Sequence, residues 1–389
     1  RRPALLPDMH LTGLRCVTCQ RTWSPAEAEY LCPACGAPAG DDPGVLDAVY
    51  DYDSAGPALR TALAGPRRDM FRWLPLLPLD EPAPVPFTGG TPLTEAPRLA
   101  KSLGLARLWL KDEPRNPTRC LKDRATAVAI GRASAAGRGE VYCASAGNAA
   151  ISLAGMAAHA GMRAHVFVPR DASATRLAWL RHYGAEVHVS DGDYDQAFAE
   201  AESAGAAAGW YSRNCAFNPF LVEGKKTVAL EIGEQLRWRA PDLVAAPVGD
   251  GCTLAAIGKG FRELQRVGLT DARPRLLGAQ TAGMRPLVRR FLGEPAAQDS
   301  GETRAASIKV RAPRNALRLL AELAASDGVL LAVDEPEIAA AQTSLGRDAG
   351  MVAEFTSAAA LAALAALPAE EREGRAAVVV VTGGRPDEL

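Results

Sequence analysis

Residues 139–168 read Gly-Glu-Val-Tyr-Cys-Ala-Ser-Ala-Gly-Asn-Ala-Ala-Ile-Ser-Leu-Ala-Gly-Met-Ala-Ala-His-Ala-Gly-Met-Arg-Ala-His-Val-Phe-Val. A short apolar run at Glu140–Ala144 predicts a strand, the small-residue stretch Ala149–Ala160 a helix, and Arg163–Val168 a second strand. The alternation continues with a helix expected over Ala172–His182, a strand over Ala185–Ser190 and a helix over Tyr194–Ala208. Later strands are expected at Leu243–Val248, Arg275–Ala279, Val329–Val333 and Ala376–Val381. The unbroken Val378-Val379-Val380-Val381 implies a strand buried on both faces, as in a parallel sheet. Strands alternating with helices define an α/β architecture. Ligands in such sheets sit beyond the carboxyl ends of the strands. Three loops occupy that place: Ser145-Ala146-Gly147-Asn148, Gly249-Asp250-Gly251-Cys252-Thr253 and Thr382-Gly383-Gly384. The second has the composition of an anion cradle at a helix start. A Gly-x-Gly turn is, by itself, often only a turn.

The whole chain fits this reading. Its 389 residues suggest two domains, or two and a small appendage. With 48% hydrophobic residues and a net charge of −1, it offers no basic surface for nucleic acid and no charged tail. No apolar run approaches the roughly 18 residues of a membrane span; the longest, around Ala358–Leu367, is closed by Pro368 and a run of acids. No secretory signal is read ahead of the body. A chain of this length with single, scattered thiols is expected in the cytoplasm, with its thiols reduced.

Cys16-Val-Thr-Cys19 and Cys32-Pro-Ala-Cys35 form two Cys-x2-Cys knuckles twelve residues apart. Two such knuckles supply a closed tetrahedral thiolate site suited to structural Zn²⁺. So short a segment has almost no core, so metal binding would supply its folding energy. Residues 1–40 are accordingly expected to form a zinc ribbon; two disulfides or four idle thiols are the other readings. Arg15, Arg21 and few other basic residues make a thin footprint for nucleic acid. From about Gly40 to Pro86 the chain is rich in Pro, Gly, Asp and Arg and reads as a connector with short helical pieces.

Asn116-Pro117-Thr118-Arg119-Cys120-Leu121-Lys122-Asp123-Arg124 carries the most specific signal. It resembles the cofactor-lysine segment of threonine synthases, which usually reads Asn-Pro-Thr-Gly-Ser-Phe-Lys-Asp-Arg. Thr91-Pro92-Leu93, Lys111-Asp112-Glu113, Ser145–Asn148, Asn218-Pro219-Phe220 with Glu223-Gly224, and Thr382-Gly383 resemble further motifs of that family in the same order. The zinc knuckles resemble those that precede the catalytic body in many archaeal and plant-like members. The likeness thus spans nearly the whole chain.

The resemblance implies a fold-type II pyridoxal-phosphate (PLP) enzyme of tryptophan synthase β-like architecture, with two α/β domains enclosing the cofactor and an N-terminal zinc ribbon. Residues 41–136 and 241–389 would form the larger PLP-binding domain. Residues 137–240 would form a smaller, mobile domain that closes on the substrate. Lys122 would carry PLP and then serve as the base that moves the α-proton. Asn148 would hydrogen-bond the cofactor's phenolic oxygen, Gly249, Asp250, Gly251, Cys252 and Thr253 would hold its phosphate, and Thr382 would face the pyridine nitrogen. The substrate would meet the loop Ser145, Ala146, Gly147 and Ala149, with backbone amides binding its carboxylate. A hydroxyl at the ring nitrogen makes a milder electron sink than a carboxylate, which favours elimination and replacement over transamination. The partner implied is a small amino-acid substrate, and a homodimer is common in the resemblance class.

The substrate end departs from the family. Where members read Ser-x-Asn-Pro-x-Arg, this chain has Ala216-Phe217-Asn218-Pro219-Phe220-Leu221. Asp250 stands where an Asn is usual, and Ala146 and Ala149 stand where hydroxyls help the late steps. Losing an arginine and gaining a carboxylate argues against a second phosphate dianion. The expected reaction is therefore PLP-dependent elimination or replacement at the β or γ carbon of an amino acid other than O-phosphohomoserine. Threonine synthase itself and a non-catalytic binding protein on the same fold are the alternatives. Cys120, Cys215 and Cys252 fall in segments bordering the site and read first as apolar fillers, with a thiolate role as the rival. The histidines at 10, 159, 165, 182 and 188 lie outside the cofactor loops and read as scaffold or surface.

Overall fold

A computed structural model describes residues 10–36 and 44–385. The chain divides into two compact units. Among the described residues, the first holds 10–36, 44–90 and 116–225, and the second holds 91–115 and 226–385.

The first unit is built on a parallel four-stranded sheet in the order Glu186–Val189, Arg163–Val168, Glu140–Ala144, Tyr211–Ser212. Side chains alternate across it, as a period of two requires. Val141, Cys143, Val166 and Val168 join a core with Val128, Ile130, Leu153 and Met156 of the helices Lys122–Ala135 and Asn148–Ala160. Tyr142, Ala144 and Phe167 point the other way, onto Ala197, Phe198 and Ala201 of the helix Tyr194–Ala208. That helix is capped by the Asp193 carboxylate and closed by Gly209 in the left-handed region (φ 73°), so its length is set locally. Gly205 within it lies against the Tyr142 ring; a Cβ there would come within 2.3 Å of the ring, so no larger residue fits.

The cysteine segment forms an antiparallel sheet, Thr22–Trp23, Leu11–Cys16 and Leu46–Tyr50. This sheet runs past residue 40, because Leu46–Tyr50 pairs along the length of Leu11–Cys16. The stretch expected as a connector folds further into the helix Tyr52–Ala64, capped by Asp51, and the 3-10 helix Met70–Leu76.

The second unit carries a six-stranded sheet in the order Val329–Val333, Arg275–Thr281, Leu243–Pro247, Ala376–Val381, Arg107–Asp112, Leu93–Glu95. All neighbours are parallel except the last pair, which is antiparallel at the edge. The valine run is buried throughout, as its continuity predicts. The Ala-rich helix Phe355–Ala366 packs into the same core and is itself almost wholly buried. Its small side chains permit close approach to the sheet.

Every strand expected from alternation is present to within two residues. Arg107–Asp112, an inner strand, escapes a pattern reading because Lys111 interrupts its apolar run. Lys111 is buried there and donates to Glu231 (2.7 Å), Gln235 (2.9 Å) and the Thr91 carbonyl (2.7 Å). A buried ammonium is tolerated only when paired in this way.

Candidate active site

In the first unit, Lys122 opens the helix Lys122–Ala135 and Asn148 opens the helix Asn148–Ala160. Neither helix has a side-chain N-cap, and the Asp123, Arg124 and Ala150 amides donate to backbone carbonyls just before the helix starts. Asn116 accepts from the Gly89 amide (2.9 Å), and Arg119 takes a left-handed conformation (φ 64°) to turn the chain into the helix. Asp123, next to the lysine, is fully buried and accepts from the Thr118 amide (2.7 Å) and hydroxyl. Burial pushes its carboxyl above the usual carboxylate range, against the opposing pull of the Thr118 donors. Lys122 itself is half-buried.

Arg213 was not singled out by the sequence, yet it organises this region. Its guanidinium is 2% exposed. It donates through Nε to Thr126 Oγ1 (3.1 Å), through Nη2 to the Lys122 carbonyl (3.3 Å) and through Nη1 to Cys215 Sγ (3.4 Å). Thr126 Oγ1 also donates to the Lys122 carbonyl (3.1 Å) and meets Ser152 Oγ at 2.6 Å. Lys225 Nζ reaches Cys215 Sγ at 3.1 Å. Cys215 is thus faced by two cations, whereas Cys120 and Cys252 are buried. No composition or spacing signal links positions 122, 126, 213, 215 and 225; only the fold brings them together.

Ser145, Ala146, Gly147 and Ala149 are half-buried around the helix start, and Ser145 Oγ accepts from the Gly147 amide (3.0 Å). A Cβ on Gly147 would lie 3.4 Å from Arg176 Nη1, so a guanidinium stands beside this loop. Ala216 and Leu221 are both buried, Leu221 completely, in the hydrophobic cores. Leu221 therefore occupies packing space.

In the second unit, Gly249–Thr253 leads from the strand Leu243–Pro247 into the helix Cys252–Arg266. Gly251 caps that helix with φ 94°, and a Cβ there would meet the Asn315 carbonyl at 3.0 Å. This helix, too, has no side-chain cap, and a helix N-terminus carries partial positive charge. The Asp250 carboxylate accepts from the Arg314 amide (2.6 Å) and Asn315 Nδ2 (2.8 Å). These bonds tie the loop to Arg314 and Asn315. Thr382 follows the strand Ala376–Val381, its hydroxyl 3.0 Å from buried Ser357 Oγ, which also bonds the Gly383 amide and carbonyl (2.8 Å each).

The first unit offers a half-buried amine and an amide side chain, and the second a glycine loop at a helix start and a hydroxyl fixed by a neighbour, each a group that suits PLP chemically. Near the N-terminus, the four sulfurs of Cys16, Cys19, Cys32 and Cys35 lie within 4.8 Å of one another. The Cys16–Cys35 and Cys19–Cys32 pairs are each 3.7 Å apart, so the four thiols form a cluster able to bind a metal.

Residues 85–383 match the family profile described as pyridoxal-phosphate dependent enzyme. The chain is 35% identical to a threonine synthase of Methanocaldococcus jannaschii over 382 residues, covering 95% of this chain and 91% of the relative. It is 38% identical to a threonine synthase of Mycobacterium tuberculosis over 277 residues, covering 71% and 75%. Its fold is like that of tomato threonine deaminase isoform 2, with a TM-score of 0.66 at 21% identity, covering 87% of this chain and 91% of that one. The chain belongs to the fold-type II pyridoxal-phosphate dependent enzymes, in their threonine-synthase-like branch. It is an enzyme, and its chemistry is PLP-dependent elimination or replacement. The reading as a non-catalytic binding protein falls with that membership.

Proposed function

We propose that this enzyme eliminates or replaces a group at the β or γ carbon of an amino acid whose leaving group is not a phosphate. Lys122 would carry the cofactor and Asn148 would meet its phenolic oxygen. Gly249, Asp250, Gly251, Cys252 and Thr253 would hold its phosphate through their backbone amides, and Thr382 would meet the ring nitrogen. When bound, PLP supplies an electron sink for the bond electrons left by the α-proton. Lys122 Nζ takes and returns that proton, its backbone held by Arg213 and Thr126. The loop Ser145, Ala146, Gly147 and Ala149, with Arg176 beside it, would orient the substrate carboxylate, although the Ser145 and Gly147 amides already donate to the Phe167 carbonyl and to Ser145 Oγ (3.0 Å each). Ser357 fixes the Thr382 hydroxyl, an uncharged group that would meet the ring nitrogen without supplying a full counter-charge.

One observation carries the substrate reading. The segment that supplies the family's serine and arginine here offers buried Ala216 and Leu221, and its cations Arg213 and Lys225 turn onto Cys215. Asp250, in place of the family's Asn, brings an acceptor already engaged by Arg314 and Asn315. A phosphate dianion thus loses its clamp. A neutral ester or hydroxyl leaving group suits this environment better. The test is to screen the holoenzyme against non-phosphorylated hydroxy and O-acyl amino acids for 2-oxo acid or replacement product. Turnover that disappears with the visible cofactor band in Lys122→Ala supports the proposal; inertness to all of them opposes it. Threonine synthase activity itself remains the second reading, favoured by 35% identity over 95% of the chain.

For the N-terminal cluster we propose a structural Zn²⁺ in a ribbon. A tetrahedral ion with Zn–S bonds of about 2.3 Å sets its sulfurs about 3.8 Å apart, close to the 3.7 Å of the two pairs. All four positions would be filled, leaving none for catalysis. Among the described residues no helix is long and apolar enough to cross a membrane. We place the enzyme in the cytoplasm, as a homodimer without nucleic-acid partners, on composition and family resemblance.

A further inference from the structure

At the open edge of the four-stranded sheet, His165, Glu186 and His188 present one donor atom each to a common point, all within 4.8 Å of one another. The register makes this meeting. His165 pairs with Glu186 across neighbouring strands, and His188, two residues on, lies on the same face as Glu186. His165 Nδ1 is 3.3 Å from His188 Nε2 and 3.4 Å from Glu186 Oε2, and His188 Nε2 is 3.7 Å from Glu186 Oε1. A tetrahedral ion with bonds of about 2.0–2.1 Å holds neighbouring donors roughly 3.3–3.4 Å apart. The two histidine nitrogens and the His165–carboxylate contact match that figure, while the 3.7 Å contact of His188 is made by the other carboxylate oxygen, so Glu186 faces both histidines with its two oxygens.

The support behind these ligands is also that of a metal site. Glu140 on the adjacent strand accepts from His165 Nε2 at 2.7 Å. This places the ring proton on Nε2 and leaves the Nδ1 lone pair facing the cluster, the carboxylate–histidine arrangement that orients metal ligands. Arg163 pairs with the same Glu140, holding it in place. The Trp210 ring stacks on His165 (3.6 Å, 5°) and Phe167 on His188 (4.4 Å, 18°), so both imidazoles are fixed. Without an ion, the one proton on His188 Nε2 can serve either His165 Nδ1 or the Glu186 carboxylate. A cation satisfies all three donors at once. His165 is buried, while the Glu186 side chain is 58% exposed, which leaves a fourth position to water.

We propose that His165 Nδ1, Glu186 and His188 Nε2 bind one divalent transition-metal ion of the zinc type, which staples the edge strand Glu186–Val189 to Arg163–Val168. The site is separate from the cysteine cluster and stands independently of the substrate reading. Two histidines and a carboxylate are borderline ligands that select such an ion over Ca²⁺ or Mg²⁺.

The test is equilibrium dialysis of the full-length holoenzyme against micromolar Zn²⁺, with bound metal counted per chain. Wild type is expected to hold one equivalent more than His188→Ala and Glu186→Gln, since the cysteines contribute equally to all three. Glu140→Gln is expected to retain the site with roughly 10- to 100-fold weaker affinity. Thermal midpoints should rise with Zn²⁺ in wild type beyond the rise in the ligand variants. Glu186→Gln changes an exposed side chain, and far-ultraviolet circular dichroism with the cofactor band verifies its fold. Equal zinc in wild type and both ligand variants would overturn the proposal.

Discussion

Arg213 donates to the carbonyl oxygen of Lys122 at 3.3 Å, joining positions 91 residues apart through a guanidinium that water scarcely reaches. The carbonyl belongs to the residue that opens the helix, so this bond fixes where the lysine side chain leaves the backbone. Arg213→Ala is expected to lower stability by about 1.5–3 kcal/mol, the worth of hydrogen bonds to a charged group. It should lower kcat while the cofactor band persists. Chemical denaturation and steady-state kinetics check this; unchanged kcat would remove Arg213 from the positioning of Lys122.

Cys215 faces Lys225 Nζ at 3.1 Å and Arg213 Nη1 at 3.4 Å, and it is half-buried. Neighbouring cations favour the thiolate, the reactive form. Among the single cysteines 120, 143, 215 and 252, the first to be carbamidomethylated near neutral pH is expected to be Cys215, because the other three are buried. Peptide mapping by mass spectrometry after graded labelling gives the order.

Burial in the sheet pushes the Cys143 thiol up to about 12 from 9.0. In the unfolded chain it ionises at ordinary thiol values, while in the folded protein it stays protonated. The unfolded state therefore gains by losing this proton as pH rises. The stability contributed by the neutral buried thiol is complete below about pH 9 and is lost between 9 and about 12. The stability of wild type minus that of Cys143→Ala should fall over the alkaline part of a denaturation series and stay level below it.

Arg119 holds φ 64° where threonine synthases usually carry glycine. A non-glycine residue in this region costs about 1–2 kcal/mol of strain, offset in part by the greater unfolded-state freedom of glycine. Arg119→Gly is expected to stabilise the protein by about 0.5–1 kcal/mol, read as a shift of the denaturation midpoint. A loss of stability would mean that the arginine side chain makes compensating contacts.

The local layers of this molecule are legible in its sequence. Glu140–Ala144, Arg163–Val168 and Ala376–Val381 declare themselves through short apolar runs, because burial on a parallel sheet demands those residues in those numbers. Lys122 and the loops around Asn148, Gly251 and Thr382 are legible through their resemblance and their places at strand ends. The remainder depends on long-range packing. Arg107–Asp112 is hidden by a buried lysine whose partner, Glu231, is 120 positions away. The spatial links of Arg213 and of the His165–His188 pair follow from sheet register, which pairs strands that alternation can find but cannot align. The places of Leu221 and Asp250 likewise emerge only with the fold. A residue at a motif position need not face the ligand, and here one packs in the core and the other braces a loop.

The proposed function is elimination or replacement on an amino acid whose leaving group is not a phosphate. The most direct measurement is a stopped assay of the purified holoenzyme with O-phosphohomoserine, following phosphate release and threonine together. The account predicts that neither product forms above the level of Lys122→Ala, although the wild-type cofactor band is intact. Rapid formation of threonine with equimolar phosphate would contradict it and return the enzyme to the reaction of its relatives.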